Sequence, residues 1–458
     1  MKFRLALLLT ALIAPAAANA ETLEDAIARA LTGDPSLQSQ RTVLDTSRLS
    51  VSAARAERLP NITGSVGFTR SWVDAAGAPI VDANGNIIGG GTGGGVNTND
   101  SGSGSIGLSE TLYNGGATTA RINQARANLE RANASVRGAE DSLVQQVVTA
   151  YTGVLYSEQA LNIRREQVDR LEREVTAANT RFELGAGTRT DVYQAQAQVA
   201  QARSALSAAQ ADLSAQRATY QRRVGDLPGT LEPAAAPVIP ANLDDAMRTA
   251  HENSTSVRAA RAAVKAAQAA VDSAYAGYKP SLSVSAATNW RGQDGLRGLE
   301  NDSSSVSARV AVPLFNFGRT PIAVATAKAN QRAAEYDLAD ALRASDEATA
   351  TAWARLVAAQ LSLESSQAQL DAASFAARGA EVERREGLRT ALDLLSQISA
   401  ERDAQLAVAN ARRTLITSAY QLLQTIGSQP RPSAAATAAA PPSPEKAAPP
   451  PPVAPPTP

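Results

Sequence analysis

The sequence presents the same order of motifs twice, and this duplication limits the possible folds more than any other feature. Leu23-Glu24-Asp25-Ala26 recurs as Leu243-Asp244-Asp245-Ala246, 220 positions later. Further along, Leu112-Tyr113-Asn114 recurs as Leu314-Phe315-Asn316 at an offset of 202 positions. The difference of 18 residues falls between residues 72 and 104, which indicates an insertion in the first copy. The repeat predicts two similar halves, each with a helix, two strands, a very long helix and a further helix.

The repeat and the chain ends divide the sequence into five segments. Residues 1–20 are typical of a secretory signal peptide, because Lys2 and Arg4 precede an apolar stretch and small residues precede a cleavage site between Ala20 and Glu21. That apolar stretch is too short to span a bilayer. The other segments are the first repeat (21–226), an inter-repeat linker (227–242), the second repeat (243–428) and a Pro/Ala-rich tail (429–458) that we expect to be disordered.

Composition excludes several functional classes. Two of the 44 basic residues lie in the signal peptide, which leaves 42 against 44 acidic residues and no charge footprint for nucleic acid. The chain has no cysteine and one histidine, His251, so it offers no disulfide, no lipid-modified cysteine and no ordinary zinc site. The run Gly89–Gly95 lacks the Lys-Ser/Thr ending of a phosphate-binding loop. We therefore predict no catalytic residues, no cofactor and no metal.

Two very long helices are predicted. No proline occurs from Ile80 to Leu227 or from Ile322 to Gln429, and Ala117–Phe182 is rich in helix-forming residues. A helix of that length spans about 100 Å and must lie beside other helices, as in a coiled coil. Since aromatic residues make up only 4% of the chain and alanine is abundant, the helices are expected to approach closely and to form thin walls.

A glycine turn is expected to end each long helix. Gly185-Ala186-Gly187 interrupts the first one, and Thr188 and Asp191 are suited to cap the helix that follows, which runs to about Val224. Gly387 takes the equivalent place in the second copy. Each copy therefore predicts a helical hairpin whose turn lies far from the strands.

Four segments alternate apolar and polar side chains with the period of a β-strand. The apolar positions are Ile62, Val66, Phe68 and Trp72; Ile106, Leu108 and Leu112; Leu282, Val284, Ala286 and Trp290; and Val306, Val310, Val312 and Leu314. The alternation alone fits either membrane strands around a watery lumen or a soluble sheet with one buried face.

The segments between the strands favour the membrane. Residues 73–103 and 291–302 are rich in Gly, Asn and Asp, so they contain no second layer that could cover an apolar face. Four strands cannot close a barrel, and an open edge in lipid leaves main-chain groups unsatisfied. Two chains would give eight strands and three would give twelve, and only twelve leave comfortable room for a conduit.

The chain resembles the TolC-like outer membrane efflux family. The resemblance rests on the tandem repeat, on the strand-to-helix junctions Leu112–Gly116 and Pro313–Gly318 and on the turns Gly187–Asp191 and Gly387–Asp393, and it covers residues 22–428. It implies a mainly α-helical homotrimer with a membrane β-barrel. Twelve strands would lie in the outer membrane of a Gram-negative bacterium, in contact with its lipid, and long coiled-coil helices would form a periplasmic α-barrel.

The same resemblance implies a function and partners. The protein would be a channel that exports drugs or secreted proteins, as in efflux pumps and type I secretion. It would work with a periplasmic adaptor (membrane fusion) protein and with an inner-membrane transporter of the RND or ABC type.

The resemblance also implies how the periplasmic end closes. By position, Thr190 and Asp191 match the acceptors of the family's lock between helical hairpins, and Arg389 matches its donor. Asp393 matches the first acidic ring at the entrance. Taken without the resemblance, Asp191 also fits a simple helix cap and Arg389 a solvated surface charge.

Other positions in the two turns either follow the family pattern or depart from it. Gly185, Gly187 and Gly387 match turns that contact the adaptor. Ser396 stands where a second acidic ring would be, and Arg384 stands in place of a lock tyrosine. The charged residues 383–386 could supply other ion pairs.

Two other classes of protein share some of these features. A periplasmic adaptor also has a long helical hairpin, but it would have one hairpin with a small β domain and no duplicated strand pairs. A structural coiled-coil protein of the cell envelope would lack both the alternating strands and the insertion.

Overall fold

The computed structural model describes residues 20–75, 79–83, 86–90, 95–293 and 299–430. The expected signal peptide up to residue 19 and the expected tail from residue 431 lie outside the described residues. The first copy comprises α1 (Leu23–Gly33), α2 (Pro35–Ala56), β1 (Asn61–Ala75), β2 (Pro79–Val81), β3 (Ile87–Gly90), β4 (Gly95–Asn114), α3 (Ala117–Glu183) and α4 (Arg189–Val224). The second copy comprises α5 (Leu243–Asn253), α6 (Thr255–Tyr275), a 3₁₀ turn (Ala276–Tyr278), β5 (Ser281–Gln293), β6 (Leu299–Ala311), α7 (Arg319–Arg385) and α8 (Ala391–Thr425).

The two long helices are confirmed. Helices α3 and α7 contain 67 residues each, and α3 ends one residue beyond the predicted end at Phe182. Each begins shortly after an asparagine, which is the last residue of β4 in the case of Asn114 and lies five residues beyond the end of β6 in the case of Asn316. The side-chain oxygen of Asn114 accepts a hydrogen bond from the Thr118 N–H at 3.2 Å, and Asn316 stands in the same relation to Thr320 at 3.5 Å. These caps bind otherwise unpaired N–H groups of the first turn.

The helix expected at the start of each copy is in fact two helices. In the first copy Asp34 ends α1 and its side chain caps α2, because its Oδ1 accepts from the Leu37 N–H at 2.9 Å. Pro35 then occupies the first position of α2, where a missing N–H does no harm. In the second copy Ser254 adopts a non-helical conformation between α5 and α6. The repeat pattern therefore contains one more helix per copy than the sequence indicated.

The inserted segment 73–103 is also not only a loop. Strand β1 extends to Ala75 and pairs there with Gly95, the first residue of β4. A separate short hairpin, β2–β3, lies within the insertion. Because ladder hydrogen bonds join main-chain groups, a Gly- and Asn-rich segment can continue a hairpin without large apolar side chains.

The chain divides into two compact units. The helical unit contains residues 20–42, 134–258 and 341–430, and the strand unit contains residues 43–133 and 259–340. Helices α3 and α7 contribute to both. Within the described ranges, no helix is both long enough and apolar enough to cross a membrane.

The helical unit contains two apolar clusters that join elements from distant parts of the chain. The turn cluster lies near the two helical turns and includes Val168, Leu171, Ala195, Val199, Ala202, Ala380, Leu394, Leu395 and Ile398. The second cluster joins α5, α7 and α8 through Ala246, Ala250, Ala352, Leu356, Ala419, Leu422, Leu423 and Ile426. Many of the buried positions are alanine, as expected for helices that pack closely.

The residue after the expected cleavage site is bound firmly within the helical unit. The Glu21 N–H donates to Thr230 O at 2.8 Å, and the Glu232 N–H donates to Glu21 O at 3.0 Å. The Glu21 carboxylate accepts from Arg29 and from the hydroxyl of Tyr220. The Tyr151 hydroxyl lies 2.8 Å from Glu21 O, and burial raises the pKa of Tyr151 to about 12, so it remains a hydrogen-bond donor.

Candidate functional site

The four-stranded sheet has one apolar and one hydroxyl-rich face. The antiparallel strands follow the order β1-β4-β5-β6, and their register brings even-numbered residues to one face and odd-numbered residues to the other. The apolar face carries Ile62, Val66, Phe68, Trp72, Ile106, Leu108, Leu282, Val284, Ala286, Trp290, Val306 and Val310. The hydroxyl face carries Thr63, Ser65, Thr69, Ser71, Ser103, Ser105, Ser109, Thr111, Ser283, Ser285, Ser303, Ser305 and Ser307. The alternation predicted from the sequence is confirmed within these strands, but Val312 and Leu314 lie beyond the end of β6 at Ala311 and are not strand positions.

Side chains on the hydroxyl face bind one another across strands. The hydroxyl groups of Ser65 and Ser105 are 2.7 Å apart, and those of Ser285 and Ser307 are 2.9 Å apart. These bonds join β1 to β4 and β5 to β6. The face is thus a continuous polar surface suited to contact with water.

The apolar face is exposed in a single chain. The exposed fraction is 81% for Val306, 77% for Val66 and 66% for Trp72. The sheet also has two free edges, since β1 pairs only with β4 and β6 only with β5 among the described strands. An uncovered apolar face requires a lipid or protein partner, and unpaired edges require further strands.

A bulge near the end of β4 corrects one predicted position. Leu112 was expected on the apolar face, but the register shifts between Thr111 and Tyr113, and Tyr113 pairs with Leu282. The extra residue in β4 exchanges the positions of Leu112 and Tyr113 relative to the face. The aromatic ring rather than Leu112 therefore borders the apolar face at this end.

Both helical turns have the same main-chain geometry. In the first turn the Gly185 N–H donates to Phe182 O at 3.0 Å, and the Ala186 N–H donates to Arg181 O at 2.8 Å. Gly185 has a φ of +73°, which favours glycine. This Schellman pattern satisfies the last carbonyl groups of α3. Gly187 packs closely, since a Cβ there would lie 3.3 Å from the Cβ of Arg181.

The second turn repeats this geometry. The Gly387 N–H donates to Arg384 O at 3.1 Å, the Leu388 N–H donates to Glu383 O at 2.8 Å, and Gly387 has a φ of +76°. Arg389 pairs with the Glu383 carboxylate, and the Arg384 guanidinium donates to Arg389 O at 3.4 Å. Of the charged residues predicted to form ion pairs at 383–386, Glu383 and Arg384 thus stabilise their own turn, whereas Arg385 binds Glu381 within α7.

The two aspartates that begin α4 and α8 are in equivalent positions but have different surroundings. Thr188 and Asp191 form a reciprocal capping box, in which the Asp191 carboxylate accepts from the Thr188 N–H at 3.2 Å and from its hydroxyl at 3.0 Å. The Asp393 N–H donates to the Thr390 hydroxyl at 3.1 Å. In the part of the chain described, however, no hydrogen bond returns to the Asp393 carboxylate, and this residue is exposed. Asp393 is therefore the better placed of the two to meet solvent ions.

The predicted lock residues are not paired with each other within one chain. Asp191 binds Thr188, and Arg389 binds Glu383, so each is held in its own turn. Thr190 is exposed beside Asp191. Asp191 and Arg389 are thus available to a second copy of the chain only if they lose these local bonds.

Ion pairs between the hairpins are the feature that the sequence did not reveal. Arg170 of α3 binds Glu401 of α8 at 2.9 Å and Glu381 of α7 at 3.3 Å. Its side chain is 20% exposed and that of Glu401 is 14% exposed. A single arginine therefore connects the α3–α4 hairpin to both helices of the α7–α8 hairpin.

In a second ion pair beside the first, the arginine belongs to α8 and the glutamate to α3. Arg402 of α8 binds Glu166 of α3 at 3.3 Å and Gln405 at 2.8 Å, and only 10% of the Arg402 side chain is exposed. Glu166 and Arg170 are one turn apart on α3, and Glu401 and Arg402 follow Ile398 of the turn cluster. We call these four residues and Glu381 the inter-hairpin ion pairs.

The single histidine has a structural environment. His251 Nε2 lies 2.5 Å from Asp346 Oδ1, and the pair connects α5 to α7 on the surface of the helical unit. His251 therefore links α5 to α7.

Comparisons with known proteins agree with this geometry. The profile of the family described as outer membrane efflux protein matches residues 26–225 and 246–428. The outer membrane efflux protein BepC of Brucella suis biovar 1 is 28% identical over 418 residues, which cover 90% of this chain and 86% of BepC. The outer membrane protein TolC of Vibrio cholerae is 24% identical over 419 residues, which cover 89% of this chain and 91% of that protein. Among solved structures, a CusC chain superposes with a TM-score of 0.75 at 17% identity, covering 89% of this chain and 92% of CusC.

Proposed function

The chain belongs to the outer membrane efflux protein family, and from this premise we propose that three copies of it enclose one export conduit through the outer membrane. The chain is an outer membrane channel protein of this family, whose members are channels rather than enzymes. The sheet is the observation that carries the proposal for three copies. One apolar face, one hydroxyl face and two free edges fit a barrel wall that meets lipid outside and water inside.

The number of copies follows from the strands. Four strands per chain give twelve in a trimer, which leaves a lumen wide enough for a conduit, whereas eight strands leave an interior that side chains fill. The resemblance noted above implies the same number. The long helices α3 and α7 would continue the conduit as a periplasmic tunnel.

We further propose that the signal peptide is removed and that the mature chain consists of two repeats, a linker and a tail. Signal cleavage between Ala20 and Glu21 would leave Glu21 as the first residue of the mature protein, and its bonds to Arg29, Tyr220 and the 230–232 segment support a role for it in the folded protein. The two repeats (21–226 and 243–428), the linker between them and a Pro/Ala-rich tail complete the organisation.

The partners are proposed by class. The channel works with export machinery, which we take to comprise a periplasmic adaptor and an inner-membrane transporter of the RND or ABC type. The turns at Gly185, Gly187 and Gly387 would receive the adaptor. Both turns present an exposed leucine, since Leu184 is 77% and Leu388 is 78% exposed. An apolar tip of this kind is suited to contact with another protein.

The gate is proposed at the helical turns, with Thr190, Asp191, Arg389 and Asp393 as its residues. We expect Arg389→Ser to loosen the second turn, because Arg389 binds Glu383 there, and so to raise single-channel conductance.

Asp393→Ala should leave closure nearly unchanged and weaken block by multivalent cations by about threefold, because the exposed Asp393 carboxylates of the three copies would form the acidic ring at the entrance.

Conductance of the purified protein in planar bilayers tests both the gate and the function. Asp191→Ala is the matched control for Asp393→Ala, since its carboxylate is engaged in the capping box and its loss should destabilise the start of α4 by about 1 kcal/mol without affecting cation block. A pure preparation that forms no channels contradicts the proposed function. Channels whose cation block is equal in the wild type and in Asp393→Ala contradict the assignment of Asp393 alone.

A further inference from the structure

The charged side chains of the sheet are distributed unequally between its two faces. Arg291 and Arg309 lie on the hydroxyl face, where the register pairs them with Ser103 and Ser283 respectively. Both arginines are exposed. Among the strand side chains that the structure describes, none on the hydroxyl face is a carboxylate. The face therefore carries two positive charges and no negative charge.

The carboxylates of the same strands lie on the opposite face. Asp100, Glu110 and Asp302 are even-numbered and share the apolar face. Asp100 is paired there with Arg70 at 2.6 Å. These carboxylates are thus directed away from the hydroxyl face and cannot neutralise its arginines through direct contact.

The two arginines mark two levels of the hydroxyl face. Arg291 lies on β5 itself, and Arg309 of β6 pairs with Ser283 of β5. The two levels are therefore eight residues apart along β5. At about 3.3 Å per residue, this separation is about 26 Å along the strand, and a strand tilt of about 40° makes it about 20 Å along the membrane normal, which is most of the roughly 25 Å height of the apolar band of an outer-membrane barrel. One arginine would therefore lie near each end of the membrane-spanning wall, with hydroxyl groups between them.

We infer that the hydroxyl face of this sheet is an anion-favouring wall, with Arg291 and Arg309 as its selectivity residues. The inference rests on the proposed function, in which three such faces enclose the conduit. Each arginine then forms a ring of three guanidinium groups, and rings of arginine or lysine favour anions in a pore. The low-dielectric wall focuses this potential into the lumen. Cargo that carries carboxylate or phosphate groups would be favoured over cationic cargo in this part of the channel.

The first test measures ion selectivity. Reversal potentials in a KCl gradient give the permeability ratio of Cl⁻ to K⁺ for the wild type and for Arg291→Gln/Arg309→Gln. We expect the ratio to fall about threefold in the double variant and further in Arg309→Glu. Arg70→Gln is the matched control, because it removes an arginine from the opposite face of the same sheet and should not change the ratio. An unchanged ratio in the double variant, with channels of normal number and conductance, overturns the inference.

A second test uses the absence of cysteine from the chain. Ser283→Cys introduces a single thiol directly opposite Arg309 on the neighbouring strand. An anionic thiol reagent should therefore modify it faster than a cationic reagent of similar size. Arg309→Gln should abolish that preference. Equal rates for the two reagents with Arg309 intact contradict the inference.

A control position separates this inference from the proposed function. Ala308→Cys lies beside Arg309 on the apolar face and should be protected by lipid. If the thiol at position 308 reacts from water and the one at 283 does not, the assignment of the hydroxyl face to the lumen is wrong, and the proposed function fails with it. If only the thiol at 283 reacts but shows no charge preference, the proposed function stands and the selectivity inference falls.

Discussion

Replacing Arg170 with methionine should increase the open probability of the channel about tenfold, because the loss of a partly buried ion pair costs roughly 1.5 kcal/mol or more. Arg170 joins α3 to Glu381 of α7 and to Glu401 of α8. Separation of the two hairpins must break these contacts, and methionine keeps an unbranched apolar stem but cannot form them. Single-channel recordings at fixed voltage measure the change, and we expect cells with the more open channel to become more sensitive to vancomycin.

A matched arginine controls for the loss of charge. Arg203 binds Glu172 at 2.6 Å, but both residues lie in the α3–α4 hairpin, so Arg203→Met removes an exposed ion pair without disconnecting the hairpins. Exposed pairs of this kind contribute under about 1 kcal/mol. Arg170→Lys should fall between the wild type and Arg170→Met, because it retains one charged contact. Equal open probabilities in Arg170→Met and Arg203→Met would show that closure rests on the turns or on the turn cluster instead.

Replacing Gly427 with alanine should strongly destabilise the folded protein and lower its yield. Gly427 has a φ of +69°, and an added Cβ would lie 2.3 Å from the carbonyl oxygen of Asn253 and 2.7 Å from its carbonyl carbon. The main chain at the break between α5 and α6 would have to move, next to the fully buried Ile426. We expect a loss of about 3 kcal/mol or more in the free energy of unfolding, measured by denaturant titration of the detergent-solubilised protein.

The repeat supplies the control for this variant. Gly225 is the equivalent residue of the first copy and has a φ of +105°, but no atom lies within 4 Å of a Cβ built there. Gly225→Ala therefore adds only the strain of a positive φ, about 1 to 3 kcal/mol. Similar yields of folded protein from the two variants would show that the contact with Asn253 is not a determinant of stability.

Features with a local periodicity could be predicted from the sequence. The strands could be recognised because apolar and polar residues alternate with a period of two. The carboxyl-terminal end of α3 could be predicted because Gly185 stops a helix that no proline interrupts. The capping role of Asp191 was also a local property, since Thr188 and Asp191 are three residues apart. These features need no knowledge of the tertiary structure.

Features that depend on distant contacts could not be predicted in this way. The Arg170–Glu401 pair joins residues 231 positions apart, and it depends on the register between α3 and α8, which packing of the turn cluster sets. The break at Asp34 was missed although Pro35 gave a local signal, because proline is also tolerated at the start of a longer helix. The extension of β1 and β4 into the insertion was missed because glycine-rich segments usually form loops.

The most direct test of the account is the mass of the particle extracted intact from the outer membrane. Four strands with two free edges per chain require closure by further copies, and the account predicts a particle of three chains. Native mass spectrometry of the protein extracted from outer membranes in mild detergent should give three times the mass of one mature chain, and heating should reduce it to one. A stable, membrane-inserted particle containing a single chain would contradict the central claim.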